Sequence, residues 1–486
     1  MTVALISFLF DKRNISLRND MIKLLAFICL CSVAAAQNNK YNVLFIAVDD
    51  LRPELGCYGV KHAQSPNLDS FAKEAVVFDR HYASVPTCGA SRYALLTGRS
   101  PQSSGVLKIN NGLYSGKSKL RASYSDKAQS LPEVFKRSGY KTACIGKISH
   151  QPDGRVFAYN GKGKGLPELP HAWDELPTPF GAWKRGWGTF FAYANGRHRE
   201  DGQGNKDLME FVAKKDTDLP DGMMAETAMQ QLVKWKGERF FIGLGFYKPH
   251  LPFVAPKQDW DAFEGVDIPH PQNVNKPETG HHGSSEFRKY NAPFLKKKLL
   301  SPEALTKSRR AYLACVRYVD RQIGKVLKKL KELDLEKNTI VIVWGDHGWF
   351  LGDMQTWGKH SVLEEANRSV LMIKVPGEKP QMTSALAETI DIFPTLLDYC
   401  NPTDKSTRFP LDGISQKAVI SGQQTSLRQT AISYWKKFRS IRTDKYRLIT
   451  DGKKPFLYRM ENGFTLSKDI ASQKSEVISE ILKLAK

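Results

Sequence analysis

The chain has 486 residues, a formal net charge of +22, 41% apolar residues and seven cysteines. That length exceeds the ~250–300 residues at which a single core stops growing, so a large domain with a smaller companion is expected. So few cysteines in so long a chain exclude a disulfide framework, and the basic balance favours an anionic partner: nucleic acid, anionic lipid and sulfated polysaccharide all qualify on charge.

At the N-terminus, Met21-Ile22-Lys23, the apolar run Leu24 to Val33 and Ala34-Ala35-Ala36 have the three-part form of a cleaved secretory signal, with cleavage near 36/37. Residues 1–20 read as an upstream extension with the true start at Met21. The stretch Val3 to Phe10 is too short to span a bilayer, and Leu30 before Cys31 disfavours a lipoprotein anchor. An exported, periplasmic or secreted protein without a stable membrane anchor is expected. Cys57, Cys88, Cys144, Cys315 and Cys400 then remain, enough for one pair.

Asn42 to Val48 is an apolar run ending in Asp49-Asp50, the pattern of a buried parallel strand that delivers carboxylates at its C-terminal end. Lys141 to Ile145 runs likewise into Gly146-Lys147, Phe240 to Phe246 into Tyr247-Lys248-Pro249-His250, and Thr339 to Trp344 into Gly345-Asp346-His347-Gly348, while Val370 to Val375 stops at Pro376. Pro302 to Leu333 carries Tyr312, Cys315, Val316, Val319, Ile323, Val326, Leu327 and Leu330 at helical spacing. Strands alternating with helices predict an α/β fold, a mostly parallel sheet sandwiched by helices with ligands beyond the carboxyl ends of its strands. Gln151 to Asp218, rich in Gly, Pro and aromatics (Trp173, Trp183, Trp187, Tyr193), and the polar stretch Ala255 to Leu300 read as long loops, the first as walls that shape a substrate site. Strand patterns at Ala431–Trp435, Ser440–Arg442, Tyr446–Thr450 and Phe456–Tyr458, then a helix from Ser475, predict a small antiparallel α+β subdomain. The division is residues 37–415 for the catalytic domain and 416–486 for the subdomain.

Asp49, Asp50 and Asp346 at neighbouring strand ends would repel one another without a cation. Three carboxylates make a hard oxygen-rich site that suits Ca²⁺, and Mg²⁺ less well because of its stricter geometry. The segment Ser84-Val85-Pro86-Thr87-Cys88-Gly89-Ala90-Ser91-Arg92 continues to Leu96-Thr97-Gly98-Arg99. Cys88 and Arg92 share one face if a helix opens there. Taken alone, a Cys-x-Ala-x-Arg string also fits a buried structural cysteine.

In its surroundings this segment resembles the signature of type I sulfatases, in which the cysteine is oxidised to formylglycine by a maturation enzyme. Together with Asp49-Asp50-Leu51-Arg52-Pro53, Ser65-Pro66-Asn67, Gly146-Lys147-x-x-His150, Lys248-Pro249-His250-x-Pro252-Phe253 and Asp346-His347-Gly348-Trp349, it resembles the iduronate-2-sulfatase branch over roughly residues 40–400. The resemblance implies an alkaline-phosphatase-like fold, formylglycine at Cys88, and one Ca²⁺ at Asp49, Asp50, Asp346 and His347 with Cys88 facing it. His347, where many sulfatases have Asn, either ligates the ion or hydrogen-bonds the sulfate. Arg92 would hold the formylglycine diol or the metal carboxylates, and Lys147 and Lys359 would meet the sulfate charge. His250 would protonate the leaving oxygen and His150 take the proton that releases sulfate, while His360 would contact substrate beside Lys359. The expected substrate is a sulfated polysaccharide or oligosaccharide, algal such as ulvan or a glycosaminoglycan, rather than nucleic acid. Ala90 stands where the family more often has proline, and Gln151–Asp218 and the C-terminal part, with Arg459 after Leu457-Tyr458, depart from the branch. The rival readings are a formylglycine-dependent phosphodiesterase or phosphonate hydrolase, and an inactive carbohydrate-binding homologue whose Cys88 stays a thiol.

Overall fold

The segment Asn42–Val48 (β1), apolar from Val43 onward, forms an inner strand of a seven-stranded sheet and is buried along its entire length. The structure, a computed structural model, describes residues 41–107, 118, 120–121, 123–271, 284–293, 300–461 and 465–485, so the signal read at 21–36 lies outside the described residues. After β1 come α1 (Pro66–Ala72), β2 (Val76–Tyr82), α2 (Cys88–Thr97), α3 (Leu131–Arg137), β3 (Lys141–Gly146), α4 (Pro220–Lys234), β4 (Phe240–Phe246), α5 (Pro302–Glu332), β5 (Thr339–Gly345), β6 (Leu371–Lys374), β7 (Gln381–Glu388) and α6 (Ile392–Cys400). The sheet order is β7-β2-β6-β5-β1-β4-β3. Every pairing is parallel except those of β6, which runs antiparallel to both β5 and β2. So apolar a strand needs cover on both faces. The two large core clusters supply it: Leu44, Ile46 and Val48 point into one, Val43, Phe45 and Ala47 into the other.

Register places the chemistry. Val48 lies beside Gly345 of β5 and Phe246 of β4, and Gly146 of β3 lies beside Gly245. The residues that follow, Asp49, Asp346 and Lys147, therefore leave the sheet at one level. Gly245 makes the last approach possible, because a Cβ there would stand 2.1 Å from the Lys147 carbonyl oxygen. The long helix α5 is capped by Ser301 Oγ, which accepts from Ala304 N–H at 3.2 Å. Its predicted stripe is buried apart from Leu327, which is half-buried. The five cysteines are free thiols, so the one pair that the count allowed is not formed. Among the described residues no helix is long and apolar enough to cross a membrane.

The C-terminal strands β8 (Ala431–Trp435), β9 (Phe438–Arg442), β10 (Tyr446–Thr450), β11 (Pro455–Glu461) and β12 (Thr465–Asp469) form a sequential antiparallel sheet, followed by α7 (Ser475–Leu484). Polar contacts tie this sheet to the rest. Ser433 Oγ donates to Ala83 O at 2.7 Å, and Tyr434 N–H donates to Ser84 O at 2.8 Å. Glu364 accepts from Tyr82 Oη at 2.8 Å and from Arg447 Nη2, with Arg442 Nε at 3.7 Å, all of these side chains being almost wholly buried. Removing one member of such a cluster leaves uncompensated buried charge. Glu364→Ala is therefore expected to cost about 3–5 kcal/mol, read as a lower urea midpoint for unfolding with the m-value kept. An unchanged midpoint would mean that water already neutralises the two arginines.

Candidate active site

Cys88 is the first residue of α2, almost fully buried, and lines a narrow recess of about 40 Å³. Lys359 Nζ lies 3.1 Å from its sulfur, His347 Nε2 3.4 Å and Asp50 Oδ1 3.8 Å. Burial pushes the Cys88 thiol up to about 12, with Asp49 adding to the effect against Lys147 and Lys359, so the sulfur is protonated at neutral pH.

The three strand-end carboxylates converge beside it. Asp50 N–H donates to Asp346 Oδ1 at 2.9 Å, and Asp50 adopts the left-handed conformation (φ 61°), one that aspartate tolerates better than most residues. One helical turn after Cys88, Arg92 spans the cluster: Nε donates to Asp346 Oδ2 at 3.0 Å, Nη2 to Asp49 Oδ1 at 3.2 Å and Nη1 to the Lys147 carbonyl. Lys147 Nζ pairs with Asp49 Oδ2 at 2.7 Å, and Lys359 Nζ with Asp50 Oδ1 at 2.9 Å. Burial alone would raise both aspartates. Lys147 and Arg92 reverse this for Asp49, which is held well below the usual carboxylate range, whereas Asp50 stays well above it. The fully buried Asp50 Oδ2 has no hydrogen-bond partner among the described residues.

The histidines carry a further constraint. His347 Nδ1 faces Gly348 O at 2.9 Å and His250 Nδ1 faces Leu251 O at 2.7 Å; a carbonyl can only accept, so both Nδ1 atoms bear protons. In the neutral ring, His347 Nε2 then presents a lone pair to Asp50 Oδ1 at 3.2 Å and to Asp346 Oδ1 at 3.7 Å. Lys359 Nζ, 2.9 Å from Asp50 Oδ1, is one cation beside these acceptors, and a divalent ion would satisfy the others. The donor atoms of Asp49, Asp50, Cys88 and His250, and those of Cys88, Asp346 and His347, each lie within 4.8 Å of one another. The orphaned Asp50 oxygen and the inward lone pair both fit a divalent ion, and the preponderance of oxygen donors suits a hard one.

His250 Nε2 lies 3.7 Å from Asp50 Oδ2, on a turn whose Lys248–Pro249 and Leu251–Pro252 bonds are cis. Burial and Lys359 hold His250 well below the usual imidazole range, and burial and Lys147 do the same for His150. His150 lines the recess against Trp187, its two ring nitrogens without hydrogen-bond partners among the described residues. The structure thus gathers Asp49, Asp50, Cys88, Arg92, Lys147, His150, His250, Asp346, His347 and Lys359 at the sheet edge. His360 is placed differently: it stacks on Trp435 of β8 (4.5 Å, 3°) and is not among the residues that line the recess.

The wall of the recess comes largely from the Gln151–Asp218 loop that the sequence outlined, through other side chains of it. Tyr159, Trp187, Phe190 and Phe191 line it, with Tyr159 stacked on Trp187 at 4.2 Å. Of the four aromatics singled out in the sequence only Trp187 takes part: Trp173 packs on Phe241, while Trp183 Nε1 bonds Tyr193 O at 2.8 Å and Tyr193 Oη bonds Asp207 O at 2.5 Å. Glu286, Lys289 and Tyr290 also line the recess, from a short 3₁₀ turn within the polar stretch read as a loop, as does Arg199. Glu286 Oε2 pairs with Lys359 Nζ at 3.4 Å; against the effect of burial, Lys359 and His250 bring its carboxyl down to about 2. Hydrophobic periodicity carries no signal for these positions.

A sulfatase family model matches residues 41–401. A sulfatase of Formosa agariphila is 30% identical over 454 residues, which cover 91% of this chain and 83% of that protein. The iduronate 2-sulfatase of Mus musculus is 31% identical over 385 residues, 74% of this chain and 65% of the mouse protein. Among solved structures, the phosphonate monoester hydrolase of Agrobacterium radiobacter superposes with a TM-score of 0.73 at 21% identity, over 92% of this chain and 95% of that one, a likeness of fold. With the family model running from the first central strand to the end of α6, the chain belongs to the sulfatase family.

Proposed function

We propose that this sulfuric ester hydrolase is an exported, calcium-dependent enzyme that removes sulfate from an acidic sulfated polysaccharide or its oligosaccharides, an algal polymer such as ulvan or a glycosaminoglycan, after maturation of Cys88 to formylglycine. The observation that carries the reading is the placement of Cys88 at the start of α2, within 3.1–3.8 Å of Lys359, His347 and Asp50. A thiol held protonated is a poor nucleophile. A formylglycine hydrate at this position would supply one hydroxyl to attack sulfur and a second whose deprotonation expels sulfate and restores the aldehyde. Asp49, Asp50, Asp346 and His347 would hold Ca²⁺, which when bound polarises the sulfate and lowers the pKa of the attacking hydroxyl.

The chain's own residues do the rest. Arg92 keeps Asp49 and Asp346 in place through two ion pairs. Lys359 and Lys147 are buried in the site, Lys359 against Cys88, where preorganised donors stabilise the charge that develops in the transition state. With Nδ1 committed to the Leu251 carbonyl, His250 Nε2 would have to gain a proton once the negative charge of bound sulfate offsets Lys359, and would then pass it to the leaving sugar oxygen. His150, neutral and unpaired, is the group to take the proton when sulfate leaves. The stacked rings of Tyr159 and Trp187 offer an apolar face to a sugar ring, and the +22 charge favours an anionic polymer. The name of the mouse relative, iduronate 2-sulfatase, supports a sulfated glycan of this class.

Paired assays test the reaction class. An aryl sulfate is expected to be hydrolysed with a kcat/KM about 100-fold above that of the matching aryl phosphodiester, a discrimination of the size that pocket chemistry provides. The reverse order would assign the site to phosphodiester or phosphonate hydrolysis. Desulfation across defined sulfated oligosaccharides then identifies the sugar.

A further inference from the structure

We propose that Glu286 reads the hydroxyl group next to the sulfate ester, its buried Oε2 accepting that hydroxyl and its negative charge turning away sugars that carry a second sulfate or a carboxylate at the neighbouring position. This rests on the sulfatase reading above and adds a determinant of which sulfated sugar is accepted.

Glu286 Oε2 is shielded from bulk solvent and has no hydrogen-bond partner among the described residues, although the residue lines the recess above Cys88. A buried carboxylate oxygen without a donor is costly unless something supplies one. Its ion pair with Lys359 at 3.4 Å is too long for a good hydrogen bond, and Lys359 Nζ is already directed to Asp50 Oδ1 at 2.9 Å and Cys88 Sγ at 3.1 Å. Lys359 Nζ thus stands between Cys88 and Glu286, 3.1 Å from Sγ of the first and 3.4 Å from Oε2 of the second, so that Glu286 flanks the sulfate site rather than the reacting atom itself. The missing donor is then a substrate hydroxyl.

A carboxylate is also a selective choice. Sulfate esters are anions, and the cationic side chains that line this recess are Lys147, Lys359, Arg199 and Lys289. A negative group among them does not help to bind sulfate. It makes sense where a neutral donor must be preferred to another anion, since a like charge at hydrogen-bond distance in a buried site is strongly repelled. The turn Glu286–Lys289 holds the residue above the recess: Phe287 packs against Trp349 and Trp357, and Glu286 N–H donates to Ser284 Oγ at 3.2 Å.

The test uses three glycosides of one sugar, once the oligosaccharide panel has identified it: the monosulfate with a free neighbouring hydroxyl, the same with that hydroxyl methylated, and the vicinal disulfate. An aryl sulfate without hydroxyls serves as reference. The full-length matured enzyme is expected to prefer the free hydroxyl over both alternatives by at least about 10-fold in kcat/KM, the scale of one buried charged hydrogen bond. Glu286→Gln should raise the vicinal disulfate relative to the monosulfate by about 10-fold or more, and Glu286→Ala should erase the difference between free and methylated hydroxyl. Each ratio is taken within one variant, so a change in the sulfate site through Lys359, or partial misfolding, cancels. If aryl sulfate is cleaved and these ratios stay as in the wild type, the role given to Glu286 is wrong while the sulfatase reading stands. If no sulfate ester is cleaved at all, both fall together.

Discussion

Replacing Cys88 by alanine is expected to abolish sulfate-ester hydrolysis, lowering kcat on the order of 10⁴-fold or more, as loss of a nucleophile does elsewhere. The folded state should survive, because the side chain is small and its polar neighbours are bonded among themselves. Cys88→Ser separates the chemistry from the packing. Serine offers one hydroxyl and no second proton to lose, so attack on sulfur would leave a stable ester, visible as a gain of about 80 Da after incubation with substrate. In the wild-type protein, intact mass should read about 18 Da below the unmodified chain, the difference between thiol and aldehyde. Full activity in the alanine variant, or an unmodified thiol in an active preparation, would remove Cys88 from the mechanism. With burial lifting it to about 12, the thiol itself is no substitute.

Dialysis against a calcium chelator is expected to reduce hydrolysis by roughly 10³-fold, the scale on which bound metal ions contribute to transition-state charge, with recovery on adding Ca²⁺. A second readout does not depend on turnover. An ion bound only by the folded state stabilises it by about 2.7 kcal/mol at one hundred times its dissociation constant, so Ca²⁺ should raise the unfolding midpoint of the wild-type protein. Asp50→Asn keeps the shape of the side chain and removes its charge. That variant should lose most of the calcium-dependent shift together with the activity, because Asp50 Oδ2 is the buried oxygen left without a partner and Oδ1 stands 3.2 Å from the lone pair of His347. A midpoint indifferent to Ca²⁺, with activity unaffected by the chelator, would show that Lys359 and Lys147 neutralise the carboxylates unaided.

The central strands were legible because each is a closed apolar run. Wherever such a run ended in Asp, Lys or His, it marked a point on the rim of the sheet. Two strands escaped: β2, whose Val76-Val77-Phe78 gives way to Asp79 and Arg80, and β7, an edge strand whose Gln381, Met382 and Ser384 are exposed. The direction of β6 could not be read either, because its Leu371-Met372-Ile373 is as apolar as a parallel strand, and only the pairing with β5 and β2 makes it antiparallel. The clustering of the candidate site was legible residue by residue, since motif and strand end coincide. The loop Gln151–Asp218 was legible as a wall, but which of its side chains face the recess was not. Tyr159, Phe191, Arg199 and Glu286 lie in stretches without period, where long-range folding decides which side chain turns inward. His360, which adjacency to Lys359 pointed to, has a left-handed backbone (φ 71°) and stacks on Trp435 while within electrostatic reach of Glu286.

The stitching of β8 to Ala83 and Ser84 has a consequence for how such proteins diversify. Those two carbonyls lie only a few residues ahead of Cys88, so the last sheet clamps the approach to the reactive position rather than hanging from the body as a detachable module. Chimeras joined near residue 416, with a foreign tail grafted onto this body, would exchange the partners that hold the segment leading into Cys88 along with the tail. Head and tail must therefore drift in concert, each alteration in one answered in the other.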